Sequence, residues 1–378
     1  MHERISAYLS ERIAANDFPS AVYLVAEKGR IVFRDALGHS VVEPEKIEAR
    51  PDTIYDLASL TKPLVTGLLA ARQIEEGEIE LGSHIGDVGV VFGDSRAASL
   101  TVQELAAHTS GLPAWVPFYL LAESPSPTHV SEVIAAQPLG PLGSRVEYSD
   151  LNFIALSLAI EGPRPDFEFD LAVAKELGLE RTAFDPLEKG FERGEIAACE
   201  KGNAYERQAC VEQGYLQPSA AASGADRSSV FREYQIWGEV HDGNAWFMGG
   251  AAGHAGLFST AEDVFKIALQ FLPNYTQLLK PETCELFRTN FTKGLNEDRS
   301  FAFQLASTRD ATAGTQMPPE SFGHNGFTGT SLWIDPVNDR VFILLTNRTH
   351  NHPLPFTNIN SVRRRFHDLA IDVLKGSK

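Results

Sequence analysis

The stretch Tyr55–Pro63 reads Tyr-Asp-Leu-Ala-Ser-Leu-Thr-Lys-Pro and places a serine three residues before a lysine. Because proline fits only the first turn of a helix, Pro63 predicts that a helix begins here. Ser59 is then expected at or beside the N-cap, with Lys62 on the same face. A desolvated lysine could accept the serine proton, and the N–H groups of the helix start could hold an oxyanion. A capping serine beside a solvated lysine fits the pattern too, so both interpretations stay open.

Composition limits the classes of partner. The 378 residues carry 50 acidic and 33 basic side chains, a formal net charge of −17, which disfavours nucleic acid and anionic membranes. No apolar run approaches the ~18 residues of a membrane span. The opening residues lack a signal-peptide pattern, and the three cysteines form no Cys-x-x-Cys, so disulfides and a cysteine zinc site are disfavoured. We expect a cytoplasmic protein with a small-molecule substrate. The sequence does not indicate the oligomeric state.

The two ends of the chain have a similar pattern. Strand-like runs occur at Ala21–Ala26, Arg30–Phe33, Leu332–Ile334 and Val341–Leu345, and an amphipathic helix lies outside them at each end. Helical patterns dominate between, at Leu64–Ile74, Val102–Ala107, Leu151–Ile160 and Ala261–Phe271. The sequence therefore predicts an α+β fold. Residues 1–57 and 290–378 form an antiparallel sheet with flanking helices, residues 58–289 form an inserted, mostly helical domain, and the active site lies at the seam.

Two further motifs could carry chemistry. Tyr148-Ser149-Asp150 precedes an apolar helix, where Tyr148 could relay a proton, although a helix cap is the simpler explanation of the motif taken alone. His324-Asn325-Gly326-Phe327 leads into the terminal strands. Gly326 would let a substrate backbone lie against a strand edge, and a polar turn is the simpler alternative.

Taken in order, Ser-x-x-Lys, Tyr-Ser-Asp and His-x-Gly resemble the class C β-lactamase and DD-peptidase family of serine hydrolases, which also contains esterases and D-aminopeptidases. The stretches 100–113 and 252–263 resemble further segments typical of that family. The resemblance implies a β-lactamase/transpeptidase-like fold. It also implies hydrolysis of a small ester, amide or D-configured peptide through an acyl-enzyme, with neither cofactor nor metal.

The resemblance also implies roles for individual residues. Ser59 would attack the acyl carbon, and Lys62 and Tyr148 would move its proton. The backbone N–H groups of Ser59 and Phe327 would form an oxyanion hole. The substrate would be oriented by Asp150, His324, Asn325 and Gly326.

Two positions depart from the β-lactamase pattern. His324 stands where those enzymes usually carry lysine, and a mostly neutral histidine is a weaker anchor for a carboxylate. Asp150 stands where they usually carry asparagine, and it could pair with Lys62, keep that lysine protonated and leave the role of base to Tyr148. Both departures favour esterase, amidase or peptidase activity over β-lactam hydrolysis. Asp150 also favours the alternative of a catalytically weak or silent penicillin-binding-like protein that binds a peptide or wall fragment.

Other candidate features have simpler interpretations. His241-Asp242 is expected to be a local turn, and Arg363–Arg365 the solvated face of the last helix. The absence of Gly-x-Ser-x-Gly excludes the nucleophile elbow of α/β-hydrolases. The aromatic residues suited to either a pocket wall or the core are Trp115, Phe118, Tyr119 and Trp246.

Overall fold

The computed structural model describes residues 3–93, 95–160, 165–217 and 230–376. The strands are β1 Ser20–Glu27, β2 Arg30–Val41, β3 Ile47–Glu48, β4 Tyr55–Asp56, β5 Phe258–Ser259, β6 Gln304–Leu305, β7 Phe322–Asn325, β8 Ser331–Asp335 and β9 Arg340–Thr346. Seven of them form one antiparallel sheet in the order β3-β2-β1-β9-β8-β7-β6, and β4 pairs with β5. Both chain ends therefore contribute to one sheet, as predicted.

Helices fill most of the remaining chain. The α-helices are α1 Glu3–Ala14, α2 Leu68–Glu76, α3 Ile85–Val88, α4 Val102–Ala106, α5 Phe118–Leu121, α6 Pro127–Ala135, α7 Asp150–Ile160, α8 Pro165–Phe169, α9 Lys175–Leu177, α10 Ala204–Glu212, α11 Gly243–Phe247, α12 Ala261–Ala268 and α13 Asn360–Gly376. Lys62–Gly67 and Asp170–Ala174 are π-helical, and the 3₁₀ turns include Ala58–Leu60. Nowhere in the described ranges is a helix long and apolar enough to cross a membrane.

The central strands β1 and β9 are largely apolar and buried, and both faces of the sheet are covered. β1 and β9 pair from Ala21 opposite Thr346 to Glu27 opposite Arg340. Alternate residues of β1 belong to different clusters. Tyr23 packs with the terminal helices, and Val22 packs with the helices of residues 58–289. This α+β arrangement, with helices on an antiparallel sheet, confirms the predicted fold class.

The predicted domain division stays a prediction. α12 lies inside the proposed insert, yet it packs directly on β1 and β9. β4 belongs to the proposed sheet domain, yet it pairs with β5 of the insert. The two parts thus share both a core and a small sheet, which fixes their relative position at the seam.

A buried asparagine side chain joins the two parts near that seam. Asn347 is 1% exposed and follows β9 directly. Its Nδ2 donates to the carbonyls of Ser40 (2.9 Å) and Ala198 (3.2 Å), and its Oδ1 accepts from Ser20 Oγ (2.7 Å). One amide therefore holds β1, β2 and a loop of the insert together.

Removal of this amide should destabilise the fold. We expect Asn347→Ala to lower the free energy of unfolding by roughly 2–4 kcal/mol, because each buried polar group left without a partner costs about 1–3 kcal/mol. Equilibrium urea unfolding measures the change. Asn274→Ala is the matched control, since exposed Asn274 makes a side-chain hydrogen bond to Asp339 and its loss should cost within ~0.5 kcal/mol. Equal stability of the two variants would contradict the role of Asn347.

Candidate active site

A cavity of about 450 Å³ lies at the seam between the sheet and the helices. Seven of the eight predicted site residues line it: Ser59, Tyr148, Asp150, His324, Asn325, Gly326 and Phe327. The eighth, Lys62, is fully buried beneath Ser59. Residues far apart in sequence thus meet at one place.

Ser59 lies in a tight turn. It is the middle residue of the 3₁₀ turn Ala58–Leu60, so the predicted N-cap position is wrong. The chain already turns at Ala58, which has a φ of 47° and donates its N–H to Asp56 Oδ1 at 2.8 Å. A positive φ at a non-glycine residue is strained and persists only where its surroundings enforce it. Lys62 opens the π-helical segment that follows.

The Lys62 ammonium joins Ser59 to an acid. Its Nζ lies 2.9 Å from Ser59 Oγ, 2.7 Å from Asp150 Oδ1 and 3.3 Å from the His254 carbonyl. Burial acts to lower the pKa of Lys62, but the charge of Asp150 and the neighbouring Tyr148 outweigh it and raise the pKa above the ordinary lysine value. Lys62 is therefore a cation at neutral pH, in the pairing with Asp150 that the sequence left open.

Tyr148 also keeps its proton. Two cations lie near its ring, with Lys62 Nζ 5.0 Å and Arg299 Cζ 5.4 Å from the ring centroid. Burial raises the pKa of the phenol, and the charge of Lys62 only partly offsets that effect. His108 packs against the ring at 4.6 Å and accepts the Ser149 N–H at its Nδ1, which holds the segment in place. A phenol cannot take over the role of base simply because Lys62 is protonated.

A pair formed by an aspartate and a histidine adjoins the Lys62 ammonium. Asp242 accepts from the N–H of Ala245, capping α11, and lies 3.0 Å from His254 Nε2. One ligand atom each of Asp150, Asp242 and His254 lies within 4.8 Å of the others, a spacing that could suit a metal ion. The ammonium of Lys62 is already 2.7 Å from Asp150, so a further cation would be repelled. The cluster fits a buried ammonium better than a metal.

His324 offers an acceptor. Its Nδ1 lies 2.9 Å from the Asn325 carbonyl and must carry the ring proton, because a carbonyl only accepts. Its Nε2 is buried and has no hydrogen-bond partner within the described ranges. Burial, with the nearby charges of Lys62 and Arg299, lowers the pKa of His324 well below its ordinary value. The ring is neutral and cannot act as a cationic anchor.

The loop after β7 is fixed by two arginines. Arg363 Nη2 donates to the Gly326 carbonyl at 2.8 Å, and Arg348 Nε donates to the Phe327 carbonyl at 2.7 Å. Because C=O and N–H point in opposite directions across a trans peptide, Arg363 turns the Phe327 N–H away from itself. At Gly326 a Cβ would collide with Thr330 Oγ1 and with the Leu57 carbonyl, beside Ser59. Packing against the Ser59 segment thus requires glycine here, whereas we had expected close approach of a substrate.

Three arginines that the motifs did not indicate line the cavity: Arg299, Arg348 and Arg363. The interpretation of Arg363 as part of a solvated face is wrong, since it is 5% exposed. Burial lowers its pKa to about 9, so it stays cationic at neutral pH. Helical spacing to buried His367 and Ala370 could have revealed it. Arg299 lies in an irregular segment, where no periodic pattern marks it.

Arg299 keeps part of its guanidinium unpaired. It is 5% exposed, and its Nε lies 2.7 Å from Glu297 Oε1. Its Nη1 is buried and has no hydrogen-bond partner in the part of the chain that the structure describes. Such a donor in a cavity wall suits an anionic ligand.

The aromatic candidates divide between wall and core. Trp115 lines the cavity, whereas Phe118 and Tyr119 are buried in the core and Trp246 stacks on the guanidinium of Arg232. Tyr205 forms an additional wall, with its ring 4.8 Å from that of Phe327.

Comparison with known proteins bears on this arrangement. The Beta-lactamase family model matches residues 5–363. A protein of Escherichia coli strain K12 named "Putative D-alanyl-D-alanine carboxypeptidase" is 30% identical over 376 residues, covering 92% of this chain and 82% of the relative. A solved class C β-lactamase from Rhodobacter sphaeroides is similar with a TM-score of 0.68 at 18% identity, covering 98% of this chain and 99% of that one.

The solved hydrolase EstCE1, described as having promiscuous acyltransferase activity, has a TM-score of 0.70 at 19% identity, with 97% of both chains covered. At such identities the solved structures bear on the fold alone. The family model spans nearly the whole chain, and the E. coli relative matches along most of its own length. The chain therefore belongs to the β-lactamase family and is a serine hydrolase of that family.

Proposed function

We propose that this hydrolase removes a C-terminal residue with a free carboxylate from a D-configured peptide, through an acyl-enzyme on Ser59. The observation that carries the proposal is Arg299, a buried guanidinium that lines the cavity containing Ser59 and whose Nη1 has no hydrogen-bond partner among the described residues. A guanidinium is the group best suited to a carboxylate. The naming of relatives as D-alanyl-D-alanine carboxypeptidases supports the same substrate class.

During acylation the leaving nitrogen gains one proton and Ser59 loses one, and Lys62, Asp150 and Tyr148 carry the transfer. Ser59 Oγ attacks the carbonyl carbon, an ester bond forms, and the C–N bond to the leaving residue breaks. The Oγ proton passes to Lys62 while Lys62 passes one of its own to Asp150. Tyr148, whose ring centroid lies 5.0 Å from Lys62 Nζ, donates its proton to the leaving nitrogen and regains one from the Lys62–Asp150 pair. Water then hydrolyses the ester by the reverse sequence.

The remaining site residues hold the substrate. The backbone N–H groups of Ser59 and Phe327 stabilise the oxyanion, and Arg363 orients the second of them through the Gly326 carbonyl. His324 Nε2 accepts a hydrogen bond from the substrate, and Asn325 forms the adjacent wall.

Ser59→Ala should abolish turnover of N-acetyl-D-alanyl-D-alanine and of a p-nitrophenyl ester while the protein stays folded. Loss of a catalytic serine typically costs about 10⁴–10⁶-fold in kcat. Mass spectrometry after treatment with an acylating probe should find the label on Ser59 alone. Exposed Ser99→Ala is the control. Undiminished turnover would contradict the nucleophile, and absence of both turnover and labelling in the wild type would favour the silent binding protein.

Asp150→Asn should lower the pKa of Lys62. The substitution removes the charge that raises this pKa, and burial, which lowers it, remains. The ammonium should therefore lose its proton at a lower pH than in the wild type. The ¹³C shifts of labelled lysine ε-carbons, assigned with Lys62→Met, measure the titration. Exposed Asp52→Asn should leave it unchanged. An unaltered Lys62 titration in Asp150→Asn would disprove the coupling.

Arg299→Gln should weaken recognition of the C-terminal carboxylate. We expect KM for N-acetyl-D-alanyl-D-alanine to rise about 10–100-fold, because a charge-assisted hydrogen bond is worth about 1.5–3 kcal/mol. KM for the corresponding C-terminal amide should hardly change. Arg309→Gln is the control, since the Arg309 side chain is 95% exposed. A parallel rise of KM for acid and amide would argue against a carboxylate contact.

A further inference from the structure

Glu206 is a buried acid that the proposed mechanism does not use. It lies on α10, is 6% exposed and lines the cavity. Its Oε1 accepts the N–H of Gly243 at 2.7 Å. Its Oε2 is buried and forms no hydrogen bond of acceptable geometry with any described residue. The Tyr119 hydroxyl is a polar neighbour of this carboxylate and lies 3.5 Å from Cys210 Sγ.

No cation of the described chain is available to compensate Glu206. Its basic neighbour His241 is already paired with Glu200 at 2.9 Å. Asp242 adds a second negative charge nearby, and burial together with that charge raises the pKa of Glu206 to about 7. A buried carboxylate that has one oxygen without a hydrogen-bond partner and no ion pair is costly, so a cationic ligand in the cavity would find a favourable contact here.

The cavity is electrically polarised across the seam. Its acids, Asp150, Glu206 and Asp242, come from the helical part, and its arginines, Arg299, Arg348 and Arg363, come from the part that contains β6–β9. Ser59 also lines the cavity, between the two parts. Asp150 is paired with Lys62 and Asp242 with His254, so Glu206 is the member of this acidic set that forms no ion pair with any described residue. If the arginines hold the carboxylate of the leaving residue, the acyl half of the substrate faces Glu206. A substrate that fits both walls is a zwitterion.

We propose that Glu206 binds an ammonium group on the acyl half of the substrate and thereby selects peptides with a free amine there. The orientation rests on the proposed function, which puts the leaving-group carboxylate at Arg299. Trp115 and Tyr205 line the same cavity, and aromatic rings attract an ammonium. The amine is either the α-amino group of the acyl residue or an amine in its side chain, and three probes separate the two sources.

The first experiment compares turnover. The probes are D-alanyl-D-alanine with an α-ammonium, Nα-acetyl-D-lysyl-D-alanine with a side-chain ammonium, and N-acetyl-D-alanyl-D-alanine with neither. We expect kcat/KM in the wild type to favour one ammonium probe about 10–100-fold over the neutral one. Glu206→Gln should abolish that preference and leave turnover of the neutral probe within about twofold. Glu212→Gln, at the exposed end of the same helix, should preserve the preference.

The second experiment separates failure of this proposal from failure of the proposed function. Calorimetric binding of the three probes to Ser59→Ala, with and without Glu206→Gln, needs no turnover. Tighter binding of an ammonium probe that disappears with Glu206→Gln supports the site even if no peptide is cleaved. Glu206→Asp, which keeps the charge, should retain part of the preference if the amide variant fails to fold. Equal affinity of the Ser59→Ala protein for all three probes, or a preference unaffected by Glu206→Gln, would overturn the proposal.

Discussion

The burial of the Lys62 ammonium is the constraint on which the site depends. An ammonium taken fully out of water is tolerable only when opposite charge and acceptors surround it. Asp150 supplies the charge from the first residue of α7, and the His254 carbonyl supplies an acceptor from a third segment. These partners must stay within hydrogen-bond distance of one nitrogen. The same requirement holds Ser59 against Lys62, so the structure needed to keep the lysine charged also positions the serine.

The arrangement changes the interpretation of one departure from the β-lactamase pattern, the histidine at position 324 in place of lysine. A mostly neutral His324 suggested from the sequence that the site has a weaker anchor for a carboxylate. The structure instead has cationic side chains at other positions around the same cavity, each reaching it from a different element. The positive charge around the cavity is carried by guanidinium groups, two of which also donate hydrogen bonds to backbone carbonyls of the loop after β7. Charge for ligand binding and geometry of the loop thus depend on the same side chains.

Much of the fold could be predicted because it follows from local pattern. The apolar runs that became β1, β8 and β9 are buried on both faces, and such runs are visible in one sequence. The helix after Pro63 was predicted, but the 3₁₀ turn around Ser59 was not. That turn depends on the side chain of Asp56 and on the positive φ of Ala58, neither of which has a periodic signature.

The limits are similar at the site. The spacing of Ser59 and Lys62 reflects local helical geometry, whereas Tyr148, Asp150 and His324 were assigned to the same site through the family resemblance. Arg299 and Glu206 became visible only in three dimensions, since each lines the cavity and has a buried polar atom without a hydrogen-bond partner among the described residues. Arg363 was misread because charge usually indicates solvent, whereas its donors are satisfied by carbonyls inside the protein. Hydrogen-bond satisfaction over long sequence separations is not encoded in any short window.

The pairing of β1 with β9 has a consequence for how the molecule assembles. Ala21 lies opposite Thr346, so the central pair of the sheet joins segments separated by most of the chain. Closing so large a loop is entropically costly, and contacts of such separation slow folding. During synthesis the β1–β2 hairpin leaves the ribosome with the β1 edge unpaired until β9 follows, and exposed strand edges promote aggregation. The nascent chain therefore has a long interval in which the β1–β2 hairpin needs protection. The site around Ser59 is complete only after the last strands have been synthesised.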